Sequence, residues 1–393
     1  MRKKMSPPRV GLALSGGGSR AIAFHLGCLR ALNDRGILDK VTVLSGVSGG
    51  SVIAALYAYS DESFEVFERR VETALSRGMV WGIARETFLS VELPKILIAT
   101  VLAGSAAILA RALQVIGWLF SLVKLQPIWL GRLAERILDL APRFASFTTA
   151  FERHLIRCYF GDRRMDAVSR RELSVVINAT ELRTETAFRY GSVESGCWRF
   201  GKLTNTPRVA TAVAASAAFP AFLPAFDHHL SFIKSNVESK HRVIITDGGV
   251  YDNLGVSCML PGRSSEFSTN VFPVDFIIAC DAGQGIPSGA RRPTFWMSRM
   301  LATVMTIHRR TQTMTQNLLH RMAVSGEIQG FLMPYLGQRD SALPTRPADL
   351  VSRDEVFDYP TDFNAMSKDY IDKISKRGEQ LTRCLVDTYA SDL

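Results

Sequence analysis

The most constraining feature of the sequence is a serine set in a glycine-rich turn between a strand-like and a helix-like run. Ser48 stands between Gly46 and Gly50 in the sequence GVSGG, which fits the pattern G-x-S-x-G. The β-branched run 41–44 (VTVL) precedes it, and the apolar run 51–56 (SVIAAL) follows. This order is typical of a nucleophile elbow, in which glycines permit a strained turn that a Cβ would block. The pattern predicts an α/β fold with a reactive serine at a helix N-terminus, where the helix dipole favours developing negative charge.

A second glycine-rich motif lies closer to the N-terminus, after the strand-like run 10–14 (VGLAL) and before the helix-like run 21–32. It consists of Gly16, Gly17, Gly18, Ser19 and Arg20. Consecutive amides at a helix N-terminus form an anion site, and an acyl-transfer enzyme needs such donors for its oxyanion. We therefore expect this loop to face the serine.

Two alternatives to an oxyanion loop exist. Gly16, Gly18 and Ala21 also fit the dinucleotide-binding pattern G-x-G-x-x-A. That pattern requires an acidic residue about 20 positions further on, at the end of the second strand. Here the second strand ends in Ser45 and Gly46, so no carboxylate is placed to bind a ribose, and no nucleotide cofactor is expected. A purely structural glycine turn is the other alternative.

The expected base is an aspartate. Asp247 ends the apolar run 243–246 (VIIT) and is followed by Gly248 and Gly249. A carboxylate at the C-terminal end of a strand, beside a glycine turn, lies where α/β enzymes place their chemistry. Asp281, in the sequence DAG after another apolar run, is the strongest rival. We favour Asp247, because paired glycines allow the tighter turn, and expect Asp281 to have a structural role at its strand end.

The histidines are less suitable bases, since none follows a strand end within a turn motif. They are His25, His154, His228, His229, His241, His308 and His320. The position of His25, one turn into the first helix, indicates a packing or capping role. His228 and His229 are predicted to lie in a solvated loop, and no cysteine or histidine spacing supports a metal site.

Together these motifs resemble those of the patatin-like phospholipases, which are lipid acyl hydrolases with a Ser-Asp dyad. The stretches 178–184 (NATELRT) and 214–224 (AASAAFPAFLP) resemble the bacterial branch of the family. The resemblance implies that Ser48 is the nucleophile and Asp247 the base. It also implies that the loop of Gly16, Gly17 and Gly18 forms the oxyanion hole, that Arg20 braces this loop, and that no metal or cofactor is needed.

The chain departs from the family pattern at the position after the arginine of the glycine motif. The family's glycine motif opens with Asp or Ser and carries a glycine after the arginine, whereas this chain has Ser15 and then Ala21. An alanine is compatible with a negative φ at a helix start. The departure therefore concerns the geometry of the loop and leaves the chemistry intact.

The expected architecture is a single domain over residues 1–393, with a three-layer α/β fold and a mostly parallel central sheet flanked by helices. The catalytic motifs lie within 8–90 and 148–283, which is also the extent of the resemblance. Residues 91–143 are expected to form an apolar helical insertion. Residues 284–393 form a C-terminal extension of helices and loops, in which we expect no chemistry.

The insertion contains two uncharged apolar runs of 15 and 12 residues, 96–110 and 112–123, separated by Arg111. Neither reaches the roughly 20 residues that a membrane-spanning helix needs. A narrow polar stripe on the second run predicts a helix that buries most of its circumference, and Pro127 is expected to break it. The alternatives are an interfacial membrane-docking element that caps the site, which we favour, a hairpin buried against the domain, and a transmembrane span.

Composition favours an intracellular protein that meets an anionic surface. The net charge is +10, and 47% of the residues are hydrophobic. A positive net charge suits an anionic surface, and because no nucleic-acid motif appears, we expect the partner to be a membrane rather than a nucleic acid. Six scattered cysteines without CxxC spacing indicate a reducing compartment. The basic residues within 1–5 are expected to form an uncleaved, solvated tail. We expect a cytoplasmic protein peripherally associated with the membrane.

The function expected from the sequence is serine-dependent hydrolysis of the acyl esters of membrane phospholipids. One alternative keeps the same site and changes the substrate, as in a thioesterase or a small-ester hydrolase. The other alternative is a membrane-binding regulatory protein whose site is idle. The intact motifs argue against an idle site, and the apolar insertion argues for a lipid substrate.

Overall fold

The computed structural model describes residues 8–220, 222–264, 266, 268–285, 289 and 292–393. The N-terminal basic cluster and Ala221, within the stretch 214–224, lie outside the described residues. The architecture is a single ten-stranded sheet flanked by helices, as expected for an α/β fold.

The strands follow the order β10-β9-β1-β2-β3-β4-β5-β6-β7-β8 across the sheet, with an additional pairing between β3 and β8. They are β1 (Val10–Leu14), β2 (Val41–Val47), β3 (Ser174–Glu181), β4 (Thr186–Gly191), β5 (Ser195–Cys197), β6 (Gly201–Leu203), β7 (Phe226–Lys234), β8 (Val237–Asp247), β9 (Phe276–Cys280) and β10 (Gly330–Leu332).

The helices are α1 (Gly18–Asp34), α2 (Gly49–Ala58), α3 (Phe64–Arg77), α4 (Val80–Phe88), α5 (Glu92–Leu122), α6 (Ile128–Leu140), α7 (Phe147–Leu155), α8 (Val209–Ser216), α9 (Gly249–Asp252), α10 (Trp296–Ser325) and α11 (Lys368–Tyr389). A π-helical turn at Ile156–Phe160 extends α7, and short 3₁₀ turns lie at Leu38–Lys40, Asp340–Ala342 and Arg353–Glu355.

The sheet is parallel where it carries the glycine and serine motifs. Strands β10, β9, β1, β2 and β3 all run parallel, whereas the strands from β3 to β8 form an antiparallel meander. The α/β prediction is confirmed, although the sheet is not parallel throughout. The meander returns to β3, since β8 pairs with the end of β3 that extends beyond β2.

Alternating side chains of the parallel strands pack into two hydrophobic cores, one on each face of the sheet. Leu12 and Leu14 of β1 join the larger cluster, which also holds the apolar sides of α1 and α2. Ala13, between them, joins a smaller cluster with Ile277 of β9 and Leu319 of α10. Because successive side chains of a strand point to opposite faces, this division produces the three layers.

The C-terminal segment is part of the same packing unit. Strand β10 adds to β9 in parallel, and α11 lies along α1 at very close range. A Cβ on Gly27 of α1 would lie 1.7 Å from the carbonyl oxygen of Ser375, and one on Gly378 of α11 would lie 2.2 Å from that of Phe24. These glycines let two helix backbones touch, which holds the C-terminal segment beside the loop that follows β1.

The insertion is a helical hairpin of α5 and α6, which we call the α5–α6 hairpin. Helix α5 runs unbroken through Arg111 and ends at Leu122, before the turn that contains Pro127. Only 11% of its most apolar 18-residue window is buried within the described chain, so protein packing does not cover most of its circumference, and burial in a membrane stays a prediction. Helix α5 packs mainly on α6, with smaller contacts to α4 and α7, and many of its large apolar side chains remain exposed.

Candidate active site

Ser48 occupies a strained turn between β2 and α2. Its φ is 51° and its ψ is −120°, a conformation that L-residues rarely adopt. The strain is held by the flanking packing: a Cβ on Gly50 would lie 2.2 Å from the carbonyl oxygen of Leu14, and one on Gly46 would lie 2.7 Å from the Cα of Ser51. The predicted strand-turn-helix elbow is therefore present, with Ser48 at the N-cap of α2.

The glycine loop lies directly against the elbow. Gly17 and Gly18 have φ values of 149° and 59°, which favour glycine. A Cβ on Gly49 would lie 2.2 Å from the carbonyl oxygen of Gly18, and one on Gly16 would lie 3.3 Å from the Cβ of Ser48. The fold thus brings together two motifs that are separated by about 30 residues in sequence.

Amides of the two turns are left without protein acceptors. Within the part of the chain that the structure describes, the N–H groups of Gly17, Gly18 and Gly49 donate to no protein acceptor. Neighbouring amides are occupied, since Gly16 donates to the carbonyl of Asn253 at 3.2 Å and Ser19 to that of Asp362 at 2.7 Å. Free amides at the start of α1 and α2 are suited to binding a developing oxyanion. Gly49 was not among the residues expected from the sequence.

Strand β3 brings Asp247 to Ser48. Val47, the last residue of β2, pairs with Asn178 of β3. Asp247, the last residue of β8, pairs with the next residue, Ala179. Two strands from distant parts of the chain therefore end one register step apart against the same strand. The Ser48 hydroxyl is near enough to the Asp247 carboxyl to lower its pKa.

The Asp247 carboxyl is buried and weakly acidic. Burial raises its pKa to about 7, and hydrogen bonds from the Gly249 amide and the Ser48 hydroxyl oppose that rise. The amide of Gly249 donates to Oδ1 at 2.7 Å. Gly248 is a close-approach position, since a Cβ there would lie 2.3 Å from the carbonyl oxygen of Asn178. A carboxyl with a pKa near neutrality is suited to accept a proton from a hydroxyl.

The stretch 214–224 supports both sides of the site. Ser216, at the end of α8, accepts a hydrogen bond from the Ser48 amide at 2.9 Å through its hydroxyl. Its carbonyl accepts one from the Gly248 amide at 3.2 Å, and the carbonyl of Ala218 accepts one from the Asp247 amide at 3.1 Å. A single turn of chain thus holds the backbones of Ser48 and Asp247 together.

The stretch 178–184 and one unexpected residue complete this framework. The side-chain amide of Asn178 donates through Nδ2 to the Ser45 hydroxyl at 2.8 Å and to the Gly46 carbonyl at 3.1 Å. Asn253 was missed by sequence reasoning, and nothing in its local pattern marks it. A Cβ on either Gly16 or Gly249 would lie within 2.7 Å of its side-chain oxygen, so Asn253 fills the space between the glycine loop and the D-G-G turn.

Arg20 ties the glycine loop to two later segments. Its Nε donates to the carbonyl of Ala282 at 3.0 Å, and its Nη1 donates to that of Tyr359 at 2.6 Å. Burial lowers the pKa of the guanidinium to about 10, so it stays charged at neutral pH. This geometry matches the bracing role that the resemblance implies. The C-terminal extension therefore reaches the glycine loop, a contact that no local sequence pattern predicted.

No histidine among the described residues contributes to the pKa of Asp247. His308, on α10, donates toward the backbone of Gly249, and burial lowers its pKa. His25 contacts the carbonyl of Ser15 through Nε2 at 2.9 Å. The expectation that His228 and His229 lie in a solvated loop is wrong, because both belong to β7 and pair with β8. Their alternation with Phe226 and Leu230 was a strand pattern hidden by the adjacent histidines.

One buried cluster has the donor set of a metal site. Among the described residues, the ligand atoms of His25, Cys28 and Cys280 lie within 4.8 Å of one another. All three are buried, and Nδ1 of His25 has no hydrogen-bond partner. Thiolate and imidazole donors suit zinc or copper(I). Sequence spacing could not find this cluster, since Cys280 is remote from α1, and acyl transfer does not require it.

Comparison with known families shows the class of the protein. The family model described as patatin-like phospholipase matches residues 12–259. The chain therefore belongs to the patatin-like phospholipases, a family of hydrolases. The matched range contains the glycine loop, the elbow and the D-G-G turn.

Individual relatives match over shorter stretches. The chain is 37% identical to lysophospholipase nte1 of Aspergillus fumigatus over 84 residues, 21% of this chain and 5% of that protein. It is 35% identical to lysophospholipase NTE1 of Mycosarcoma maydis over 86 residues, 22% of this chain and 4% of that protein. The matches thus span a small fraction of the length of these relatives.

A solved structure extends the likeness over the whole fold. Human GIVD cytosolic phospholipase A2 superimposes with a TM-score of 0.55 at 13% identity, covering 100% of this chain and 60% of that one. At this identity the likeness concerns the fold alone.

Proposed function

We propose that this protein hydrolyses the acyl ester bonds of membrane phospholipids, with Ser48 as nucleophile and Asp247 as general base. The observation that carries the proposal is the register on β3, which sets the ends of β2 and β8 one residue apart. A nucleophile beside a base, with free amides opposite, is the arrangement that acyl transfer requires.

In the first half of the reaction, the Ser48 hydroxyl oxygen attacks the ester carbonyl while Asp247 accepts the hydroxyl proton. The tetrahedral intermediate carries a negative oxygen, and the free amides of Gly17, Gly18 and Gly49 are placed to donate to it. Collapse of the intermediate breaks the ester C–O bond. The leaving alkoxide takes the proton from Asp247, and the acyl group remains on Ser48.

In the second half, water attacks the acyl-enzyme carbonyl. Asp247 accepts a proton from this water, and the same amides bind the new oxyanion. The bond from Ser48 to the acyl carbon then breaks, the Ser48 oxygen recovers the proton, and a fatty acid leaves. No metal or nucleotide takes part, and each proton passes between groups already in the site.

Burial makes a carboxylate sufficient as the base. An ordinary aspartate is too acidic to compete for a serine proton, whereas burial raises the pKa of Asp247 to about 7. General bases are most effective when their pKa lies near the working pH. A carboxyl of this pKa can serve as the base without a histidine.

A lipid substrate is supported by the apolar surface of the α5–α6 hairpin. Helix α5 is the one helix in the described ranges that is long and apolar enough to cross a membrane, by length and composition alone. It is roughly 46 Å long at about 1.5 Å per residue. Large exposed apolar patches mark membrane or protein contact sites. The names of the relatives, a lysophospholipase and a phospholipase A2, agree with a phospholipid substrate.

We place the protein in the cytoplasm, docked on an anionic membrane through this hairpin. Trp118 and Trp129 are exposed on its two helices, and indole suits the boundary between water and lipid. The helix ends carry Lys95 and Lys124, and Arg111 lies mid-helix. A charge in the middle of a spanning helix costs about 2.5–3.5 kcal/mol by insertion scales, which favours an interfacial position.

The chemistry is tested with a fluorophosphonate probe and with lipids. We expect the probe to label wild-type protein at Ser48, and Ser48→Ala to remain unlabelled. Cells expressing the wild type should lose phospholipid and gain free fatty acid relative to cells expressing Ser48→Ala, by lipidomics. A labelled serine without any lipid change would indicate a thioesterase or small-ester hydrolase. Absence of labelling would indicate an idle site.

Docking is tested with Leu119→Glu and Phe120→Glu, whose side chains are 50% and 45% exposed. We expect the double variant to lose activity on vesicles by tenfold or more and to keep activity on a soluble short-chain ester. The matched control is Val193→Glu, because Val193 is 72% exposed on a turn of the meander. Loss of both activities with a lowered Tm would show instead that the segment is core. Resistance of wild-type protein to extraction from vesicles by carbonate would indicate a span.

A further inference from the structure

The first half of α10 is an exposed apolar helix that the proposed mechanism does not use. Trp296 is 68% exposed and Ile307 is 62% exposed. The large apolar side chains exposed here are Phe295, Trp296, Met297, Met300, Leu301, Val304, Met305 and Ile307. No other helix or strand of the described residues covers them, which makes this stretch a second apolar surface besides the α5–α6 hairpin.

The same stretch is amphipathic and purely basic. Trp296, Met300, Val304 and Ile307 recur at helical spacing on one face, while Arg299 and Arg310 are spaced along another together with threonines. Between Asp281 and Glu327 the sequence contains no acidic residue, and it contains six arginines. A helix with aromatic and aliphatic residues on one side and arginine on the other is typical of a membrane interface.

The second half of α10 is anchored at the catalytic edge of the sheet. Leu319 and Met322 are buried in the smaller core cluster. Gln312 donates to the carboxylate of Asp281 at 2.8 Å, and His308 donates toward the backbone of Gly249, two residues after Asp247. The exposed half therefore begins one turn from the loop that holds the proposed base.

We propose that residues 295–307 of α10 bind the interface of an anionic membrane, as a second docking element that holds the Asp247 side of the site at the lipid surface. Charge complementarity selects this occupant. A second copy of the chain would bring a like-charged basic face against it, whereas anionic lipid neutralises each arginine. The idea that lipids of this membrane are also the substrate rests on the proposed function, whereas the binding of α10 to the membrane does not.

The test uses full-length protein carrying Ser48→Ala, so that binding is measured without hydrolysis. Vesicles of phosphatidylcholine alone are compared with vesicles of equal parts phosphatidylcholine and phosphatidylglycerol by cosedimentation. We expect Met300→Glu/Val304→Glu to weaken binding to the mixed vesicles tenfold or more. Arg299→Ala/Arg310→Ala should weaken it by roughly fivefold for each arginine removed, and only for the anionic vesicles. Added salt should erase the arginine effect.

The matched control is Val324→Glu, since Val324 is 90% exposed at the far end of the same helix. It should bind vesicles as the parent does, and all variants should keep the parent's Tm. Unchanged vesicle binding by Met300→Glu/Val304→Glu would overturn the proposal. If that variant instead changes a dimer into a monomer in sedimentation, the surface is a contact between copies.

In the Ser48-intact background, the same variants separate this proposal from the proposed function. They should keep hydrolysis of a soluble short-chain ester and lose hydrolysis of vesicle lipid. A wild-type protein that binds vesicles through α10 but hydrolyses no ester would refute the proposed function and leave the docking element standing.

Discussion

Asp247 and Asp281 end two strands of the same sheet and look almost alike. Both side chains are buried, and burial raises the pKa of both carboxyls. Each accepts a hydrogen bond from the amide two residues later, at 2.7 Å from Gly249 and 2.8 Å from Gly283. Local geometry alone therefore gives no ground for choosing between them as the base.

They differ in what occupies the space beyond the turn. The carboxylate of Asp247 faces the Ser48 hydroxyl. The second oxygen of Asp281 accepts hydrogen bonds from Gln312 at 2.8 Å and Gln316 at 3.3 Å, both on α10. One carboxylate is left beside a nucleophile, whereas the other is enclosed in an amide network. The comparison teaches that the neighbour of a strand-end aspartate, rather than its own turn, assigns its role.

Removing the nucleophile should have the largest effect. We expect Ser48→Ala to lower kcat on an ester substrate by roughly 10⁴–10⁶-fold, because an acyl-enzyme nucleophile has no substitute. The fold should persist, with a near-native Tm, since the change removes one hydroxyl. Mass spectrometry of the phosphonate adduct checks the assignment. An adduct on Ser45 would contradict it, although the Ser45 hydroxyl is buried and donates to the Gly255 carbonyl at 2.6 Å.

The Asp247 side of the comparison is tested by Asp247→Asn. We expect a loss of about 10⁴-fold or more, with the double variant Ser48→Ala/Asp247→Asn little worse than either, because the two groups act as a unit. Steady-state kinetics on a soluble ester measures both. His308→Ala should retain activity. If any single histidine substitution abolishes turnover while the fold stays intact, a serine-histidine arrangement replaces the dyad.

The pH dependence should report the raised pKa of Asp247. The base must be ionised, so kcat/KM should rise about tenfold per pH unit below pH 7 and level off above it. Asp281→Asn should show the same profile. A rate that stays flat from pH 5 to pH 8 would be inconsistent with a base of this pKa.

The stability of the fold should also depend on the ionisation of Asp247, but it should fall as pH rises, whereas the activity should increase. The folded-state pKa of about 7 lies above the ordinary value of 3.8, so the folded protein holds this proton more tightly than the unfolded chain. The contribution is fully present below about pH 4 and is lost as pH rises toward 7. Asp247→Asn should therefore have a higher Tm than the wild type at pH 8 and a smaller difference at pH 5. Equal differences at both pH values would mean that the carboxyl is not perturbed.

The smallest effect on activity is expected for Asp281→Asn. An asparagine can still accept from Gly283, and the facing glutamine amides can reorient, so we expect kcat/KM within about threefold of wild type. Because burial raises the pKa of the Asp281 carboxyl as well, the neutral asparagine should raise the free energy of unfolding relative to the wild type more at pH 8 than at pH 5. Denaturant unfolding together with ester kinetics gives both values. A loss of activity comparable to that of Asp247→Asn would erase the distinction between the two aspartates.

The sequence by itself determined the elements that carry the site. The glycine loop, the elbow and the D-G-G turn each follow a run of β-branched or apolar residues, and each lies where it was expected, after β1, β2 and β8. Local patterns suffice here because glycine positions and strand periodicity act over a few residues. The family and its α/β fold followed from these motifs and were confirmed by the family match.

Only the tertiary structure decided which groups meet. Three features of the site join residues that are far apart in sequence. Val47 and Asp247 lie one register step apart along β3, Ser216 and Asn253 support the two turns, and α10 encloses Asp281. The sequence left open whether protein or a membrane covers the α5–α6 hairpin, because an apolar helix has the same pattern in both cases, and the structure shows its apolar residues exposed. Register, burial and coverage are properties of the assembled fold, so no local pattern could have specified them.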